Sequence, residues 1–276
     1  MVNVVCFLLA LSLYAVSTLA HVACWIGGSR RCERLTRPTL VAAVVLHGSA
    51  ILLRWVEAGY APLSNGFEAF SLYAWGLSLV FLLVGPLRRH TALGVFVTPL
   101  ALTSILIASV LPKRVEPLVP ALQSYWLPIH VGVSLAAYAL FSLAFVAAVA
   151  YLLQERRLKE PRRRGWVRQL PSLETLDNLA RRLALVGLVL MTGSLFSGSL
   201  WAEKAWGIVW PWEPQQIASL VTWLIYAVYF YARHSADWRG RRAAWLLVAG
   251  FVSMLITFVG ADLLMPDSRH SFLFGS

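Results

Sequence analysis

Eight apolar runs dominate this 276-residue sequence, each about as long as the ~20 residues a helix needs to cross a hydrocarbon layer of roughly 30 Å. They lie near 3–26, 39–57, 67–86, 91–111, 128–153, 183–200, 216–232 and 243–264. No stretch repeats the in-out alternation of barrel strands, and in lipid every backbone polar group must be satisfied within a helix or a closed sheet. The sequence therefore predicts an all-α fold, a polytopic integral membrane bundle of about eight transmembrane helices in a single domain over 1–276. A hydrophobic content of 59% against 13% charged residues excludes a soluble domain of this length.

A net charge of +11 is compatible with nucleic-acid binding, but its distribution points to a membrane. Most of the 24 lysines and arginines follow the odd-numbered runs: Arg30, Arg31, Arg34 and Arg37; Arg88 and Arg89; a long basic loop over 154–182; and Arg233, Arg239, Arg241 and Arg242. By the positive-inside rule these loops are cytoplasmic and both termini extracytoplasmic. The basic loop reads as a contact for anionic lipid rather than nucleic acid. Leu170, Leu173, Leu176 and Leu179 recur in it every three residues, which predicts an amphipathic helix along the interface before the sixth run. The first run has no basic flank before it and four arginines after it, so it reads as a retained helix and not a signal peptide. Cys6, Cys24 and Cys32 form no CxxC pair and read as structural.

On this topology four segments meet at the outer face: "EAGYAPLSNGFEA", "PKRVEPLVPALQSYW", the tryptophan-rich loop 201–215 and the tail "MPDSRHSFLFGS". An interfacial belt spreads its tryptophans among several helix ends. Here Trp201, Trp206, Trp210 and Trp212 crowd into one loop, expected to form a flat aromatic bed. His130 and His270 fall at the same depth, and two imidazoles flanking an aromatic surface are what a bis-histidine haem site requires. The plainer alternative is an interfacial belt with hydrogen-bonded histidines. His47, in the middle of the second run, also reads as an imidazole bonded to a Ser, Tyr or carboxylate of a neighbouring helix. Arg54 and Glu57 are expected to pair, with Glu68 closing a similar network with "PLSN", and His21 and His90 are expected at the interface.

The order Trp206, Gly207, Trp210, Trp212, Glu213, Pro214 resembles the WGxxWxWD-type loop of the cytochrome c assembly family, the haem-handling membrane proteins of the CcsA, CcmC and CcmF type. Resemblance extends through "HGSAILLRWVEAGYAPLSNGFEA", "HVGVSLAAYALF", "PSLETLDNLARR", "TWLIYAVYFYAR" and "DWRGRRAAW", most of the chain from about residue 40 onward, and looks closest to the CcsA type of system II. It implies a haem-binding subunit of a cytochrome c synthetase (haem lyase), presenting haem b as substrate on the extracytoplasmic face for thioether attachment to the CxxCH of apocytochrome c. His130 and His270 match its two outer iron ligands. Trp201, Trp206, Gly207, Trp210, Trp212 and Glu213 match the loop that holds the porphyrin, and His47 matches the first of an intramembrane histidine pair. The second of that pair falls at Tyr231, with His234 one turn on, and either is a substitute ligand. Glu213 stands where the family has Asp, and Gln215 and Gln216 where it commonly has Lys-Glu. No side chain of this chain is expected to act as a nucleophile.

The partners the resemblance implies are apocytochrome c and a second membrane protein with a large extracytoplasmic domain (CcsB/ResB type), beside anionic lipids and without nucleic acid. The membrane is expected to be a bacterial cytoplasmic (inner) membrane or a thylakoid-type one. Two alternatives stay open: a haem transporter or chaperone without ligation activity, which Tyr231 and the neutral Gln pair favour, and a non-haem regulatory or scaffold protein of the same family.

Overall fold

The computed structural model describes residues 2–27, 30–84, 90–115, 118, 122–159 and 170–260, the side chains of 30–32, 90 and 91 excepted. Each apolar run becomes one helix: α1 (Val2–Gly27), α2 (Arg30–Ala58), α3 (Gly66–Leu83), α4 (His90–Val110), α5 (Trp126–Lys159), α6 (Leu173–Trp206), α7 (Pro214–Ser235) and α8 (Arg241–Leu255). A π-helical turn, Ile256–Gly260, continues α8, and no strand occurs among the described residues. Seven of the eight helices are long and apolar enough to cross a membrane. The exception is α7, which carries Gln215, Gln216, Ser219, Thr222 and Arg233. Thr222 meets partners inside the bundle: its Oγ1 lies 2.8 Å from Ser253 Oγ of α8 and 3.1 Å from Thr257 Oγ1 of the π turn. The chain is an integral membrane protein with a polytopic helical fold.

The bundle is organised around α5, which touches α3, α4, α6 and α8. It presents Ala137, Ala139, Ala144, Ala147, Ala148 and Ala150, all buried, and small side chains let helices approach closely where lipid gives no hydrophobic drive for association. Phe141 uses the space this leaves. It stacks on Tyr226 of α7 at 3.7 Å between ring centroids, and a Cβ at Gly187 of α6 would sit 2.6 Å from its ring. At the other side of the bundle α1, α2 and α4 pack together, with α3 bridging to α5. Asp177 of α6 and Arg233 of α7 form a bidentate pair at 2.7 and 2.8 Å.

Two sequence expectations give way here. Of the leucines read as an interfacial helix, Leu173, Leu176 and Leu179 belong to one unbroken 34-residue α6, whose N-terminus Ser172 caps by accepting the Thr175 N–H at 3.3 Å, and Leu170 lies just before it. Leu170 and Leu176 are fully buried, and Leu179 and Leu183 pack against Phe81, Leu93 and Val146 of α3, α4 and α5. An apolar row every third residue fits a buried helix face as well as an interfacial one, and here the bundle covers it. The second concerns His21, which is buried rather than interfacial: its Nδ1 donates to the Ser17 carbonyl at 2.8 Å. The ring fits because α4 has Gly94 beside it, where a Cβ would lie 2.2 Å from the imidazole.

Candidate functional site

A large cavity opens between α3, α5, α6 and α7, with an empty volume of about 1030 Å³ counting the space open to solvent. His130 lines it from the first turns of α5. The Nδ1 of His130 lies 2.9 Å from the Ser194 carbonyl of α6, and because a carbonyl only accepts, Nδ1 carries the proton. Nε2 is then the unprotonated nitrogen with its lone pair available, the form in which imidazole binds iron, held in orientation by its other nitrogen. Gly198, one turn beyond Ser194, makes room: a Cβ there would stand 2.8 Å from the imidazole Cε1. Ser134 Oγ bridges to Ser194 Oγ at 2.6 Å, which fixes the α5–α6 spacing beneath the ring.

The tryptophans divide into distinct roles. Trp201 and Trp206 still belong to α6, so the irregular segment spans only 207–213. Trp201 is 2% exposed and lies parallel to His130, at 11° and 6.1 Å between centroids. Trp206 meets it edge-on at 63°. Gly207 ends the helix in the left-handed conformation, φ 72°, which glycine adopts at little cost. Trp210 lines the cavity, while Trp212 is 68% exposed with φ 56°; the two indoles stand at 82°. Instead of one flat bed, the loop gives a brace behind His130, a wall and an outward-turned ring. Glu213 is the N-cap of α7, and its own N–H donates to Gln216 Oε1 at 3.3 Å. Gln216 thereby does the reciprocal half of a capping box, for which Glu and Gln serve alike.

The floor of the cavity was not legible as a site. Tyr138 of α5, bonded to Ser219, and Phe258 of the π turn both line it, and Phe258 packs on Tyr138, Phe70 and Tyr73 at 5.0–5.8 Å. Such single π turns recur at functional sites, where the extra residue re-aims a side chain. Ser194 and Gly198 carried one signal that was missed, a small-xxx-small spacing of the kind that marks close helix contacts. Two polar atoms at the wall are buried without a hydrogen-bond partner: Trp210 Nε1 and Gln215 Oε1.

Outside the cavity, His47 is fully buried between α1, α2 and α3. Its Nε2 is 2.8 Å from Ser71 Oγ, its Nδ1 3.4 Å from the Tyr14 hydroxyl, and Phe7 and Tyr14 abut its ring edge-on. Tyr231 is 71% exposed on α7, and His234 is exposed on the same helix. His47 thus has its hydrogen-bond partners on α1 and α3, while both substitute ligands face outward on α7. His270 lies outside the described residues, as does most of the basic loop, residues 160–169. Arg54 pairs with Glu68 at 2.6 Å, both buried, instead of with Glu57.

A sequence model of the family described as Cytochrome C assembly protein matches residues 63–266, which contain the whole cavity. The chain belongs to this family. Among relatives of the assembly family, the cytochrome c biogenesis protein CcsA of Parasynechococcus marenigrum is 34% identical, with 88% of each chain covered. CcsA of Synechococcus elongatus is 33% identical over 79% of this chain and 81% of that protein. CcsA of Prochlorococcus marinus is 31% identical over 87% and 84%. Among solved structures, the cytochrome c haem lyase CcmF superposes with a TM-score of 0.72 at 16% identity, over 95% of this chain and 48% of that one. The chain therefore spans about half the length of CcmF and shares the fold of that half.

Proposed function

We propose that this assembly-family member is the haem-presenting membrane subunit of a cytochrome c synthetase, with haem b as the substrate held in the cavity beside His130. One observation carries the reading: a cavity walled by aromatic and aliphatic side chains contains an imidazole whose Nδ1–H is committed to Ser194, so that Nε2 is left unprotonated as a ligand. The orphaned Trp210 N–H and Gln215 Oε1 add to it, because a buried polar atom without a partner costs about 1–3 kcal/mol; a porphyrin carboxylate would accept from the Trp210 N–H, and a bound water would donate to Gln215 Oε1. The leucines and aromatic rings of the lining suit a macrocycle.

In this reading His130 is one iron ligand and His270 the other. Phe258 lines the cavity and Gly260 ends the described chain two residues later, so a further ten residues, at most about 3.6 Å each, bring His270 within reach. Trp201 and Trp206 hold the His130 ring, Trp210 the porphyrin edge, and Glu213 with Gln216 fixes where the loop enters α7. The ligation needs no nucleophile from this chain. Each apocytochrome cysteine adds its sulfur to one carbon of a haem vinyl group while the thiol proton ends on the other carbon, so the protein's task is positioning. The site faces the extracytoplasmic side of a bacterial inner or thylakoid-type membrane. The partners are apocytochrome c and a second membrane protein supplying the large extracytoplasmic domain.

The test is co-production of this chain, an apocytochrome c and the candidate partner in a host lacking its own cytochrome c assembly, with covalent haem read on a denaturing gel. Wild type yields haem-stained cytochrome c and His130→Ala does not. Haem that binds to this chain without ever reaching the apocytochrome would replace the synthetase reading with a carrier.

A further inference from the structure

We infer that Arg54 is a positioning residue for the cavity, holding the loop after α2 and the loop after α4 in register across its mouth; the inference rests on reading that cavity as the haem site. Arg54 is 4% exposed and Glu68 1%. The guanidinium spends three N–H groups on three partners: Nε to Glu68 Oε1 at 2.6 Å, Nη1 to the Lys113 carbonyl at 2.8 Å and Nη2 to the Arg114 carbonyl at 3.1 Å. It also lies 4.9 Å from the Phe67 ring centroid. Glu68 holds the other loop: its Oε2 accepts the Ser64 N–H at 2.7 Å and the Ser64 hydroxyl at 2.8 Å. The Glu68 N–H donates to the Asn65 cap at 3.0 Å.

Both loops end at the cavity. Leu63 and Asn65 line it directly. Beyond Lys113 and Arg114, Leu118 and Leu122 pack with Leu127, Trp201 and Trp206, and Trp201 is the ring parallel to His130. Arg54 thus holds the backbone at Lys113 and Arg114, four residues before Leu118 of the cluster that packs on the indole behind the ligand. A buried ion pair is weak evidence for stability, since its desolvation offsets much of its attraction. Its three-way geometry is specific to a planar fork, which a lysine ammonium on a flexible stem does not reproduce. The arrangement suits geometric precision at the cavity mouth better than it suits added stability.

The experiment uses the full chain in detergent, loaded with haemin, reduced, and followed for haem release to excess apomyoglobin beside its melting temperature. Arg54→Met is expected to release haem on the order of tenfold faster, as loss of an outer-shell partner typically does, with part of the low-spin spectrum converted to high-spin. Arg54→Lys recovers only part of the retention. The double variant Arg54→Met/Glu68→Leu leaves no buried unpaired charge and recovers melting temperature without recovering retention. Arg233→Met, breaking the pair with Asp177 at the ends of α6 and α7 remote from the cavity, lowers melting temperature and leaves release unchanged. Wild-type release by Arg54→Met, or joint recovery of stability and retention in the double variant, overturns the inference while the haem site stands. A wild-type protein that takes up no haem overturns both.

Discussion

His130 donates its Nδ1–H to the Ser194 carbonyl at 2.9 Å, and this one bond sets the tautomer and leaves Nε2 as the unprotonated nitrogen. Ser194 and the neighbouring Gly198 are therefore as much part of the site as the histidine. Gly198→Ala would place a Cβ 2.8 Å from the imidazole. It is expected to weaken haem binding about 10–100-fold, the usual effect of disturbing a ligand's support, at little cost to folding. Haem content per protein by pyridine haemochrome, beside circular dichroism, checks this; full occupancy in the alanine variant would show that the ring has slack the packing does not suggest.

Trp210→Phe and Gln215→Leu each remove a buried polar atom that has no hydrogen-bond partner within the protein. The unliganded protein should melt no lower than wild type in either variant, and gains up to about 1 kcal/mol where an orphan atom is lost. Haem affinity should fall in both. A drop in stability without a change in affinity would mean that these atoms serve the fold and not the ligand.

Trp212 stands at φ 56° with its ring turned outward. A non-glycine residue held there costs about 1–2 kcal/mol, so Trp212→Gly should raise the melting temperature slightly while reducing cytochrome c maturation. A stabilised variant with full activity would reduce this strained indole to a surface ornament of the loop.

His47 has both ring nitrogens in hydrogen-bonding contact, with Ser71 and Tyr14. His47→Leu should cost about 1–3 kcal/mol, because Ser71 and Tyr14 each lose a partner at a fully buried site. The haem spectrum of the cavity beside His130 should keep its band positions. Thermal denaturation and a visible spectrum on the same preparation separate the two effects.

The apolar spans were plain in the sequence because lipid leaves the chain so few solutions, and each predicted run is one helix. The tryptophan-rich loop and His130 were equally visible as local patterns. What stayed hidden depends on contacts between distant segments. Arg54 reads as a partner for Glu57 three residues on, yet its charge is met by Glu68, fourteen residues away, because the α2–α3 turn brings the second carboxylate inside. His21 looks interfacial until Gly94 of α4 is seen to vacate the space for it. Phe258 enters the cavity through a π turn that no hydropathy pattern announces. Leu176 and its neighbours form the same stripe whether they meet lipid or a helix, and only the assembled bundle distinguishes the two.

The central claim, that this cavity is a haem site with His130 on the iron, is tested most directly by the reduced-minus-oxidised visible spectrum of the purified protein beside His130→Ala and His270→Ala. The account predicts a low-spin b-type signal in wild type, diminished in both variants and regained when imidazole is added to His130→Ala. No haem in the wild type, even when it is produced with its candidate partner and supplied with haem, would contradict it and leave a family member whose cavity serves another purpose.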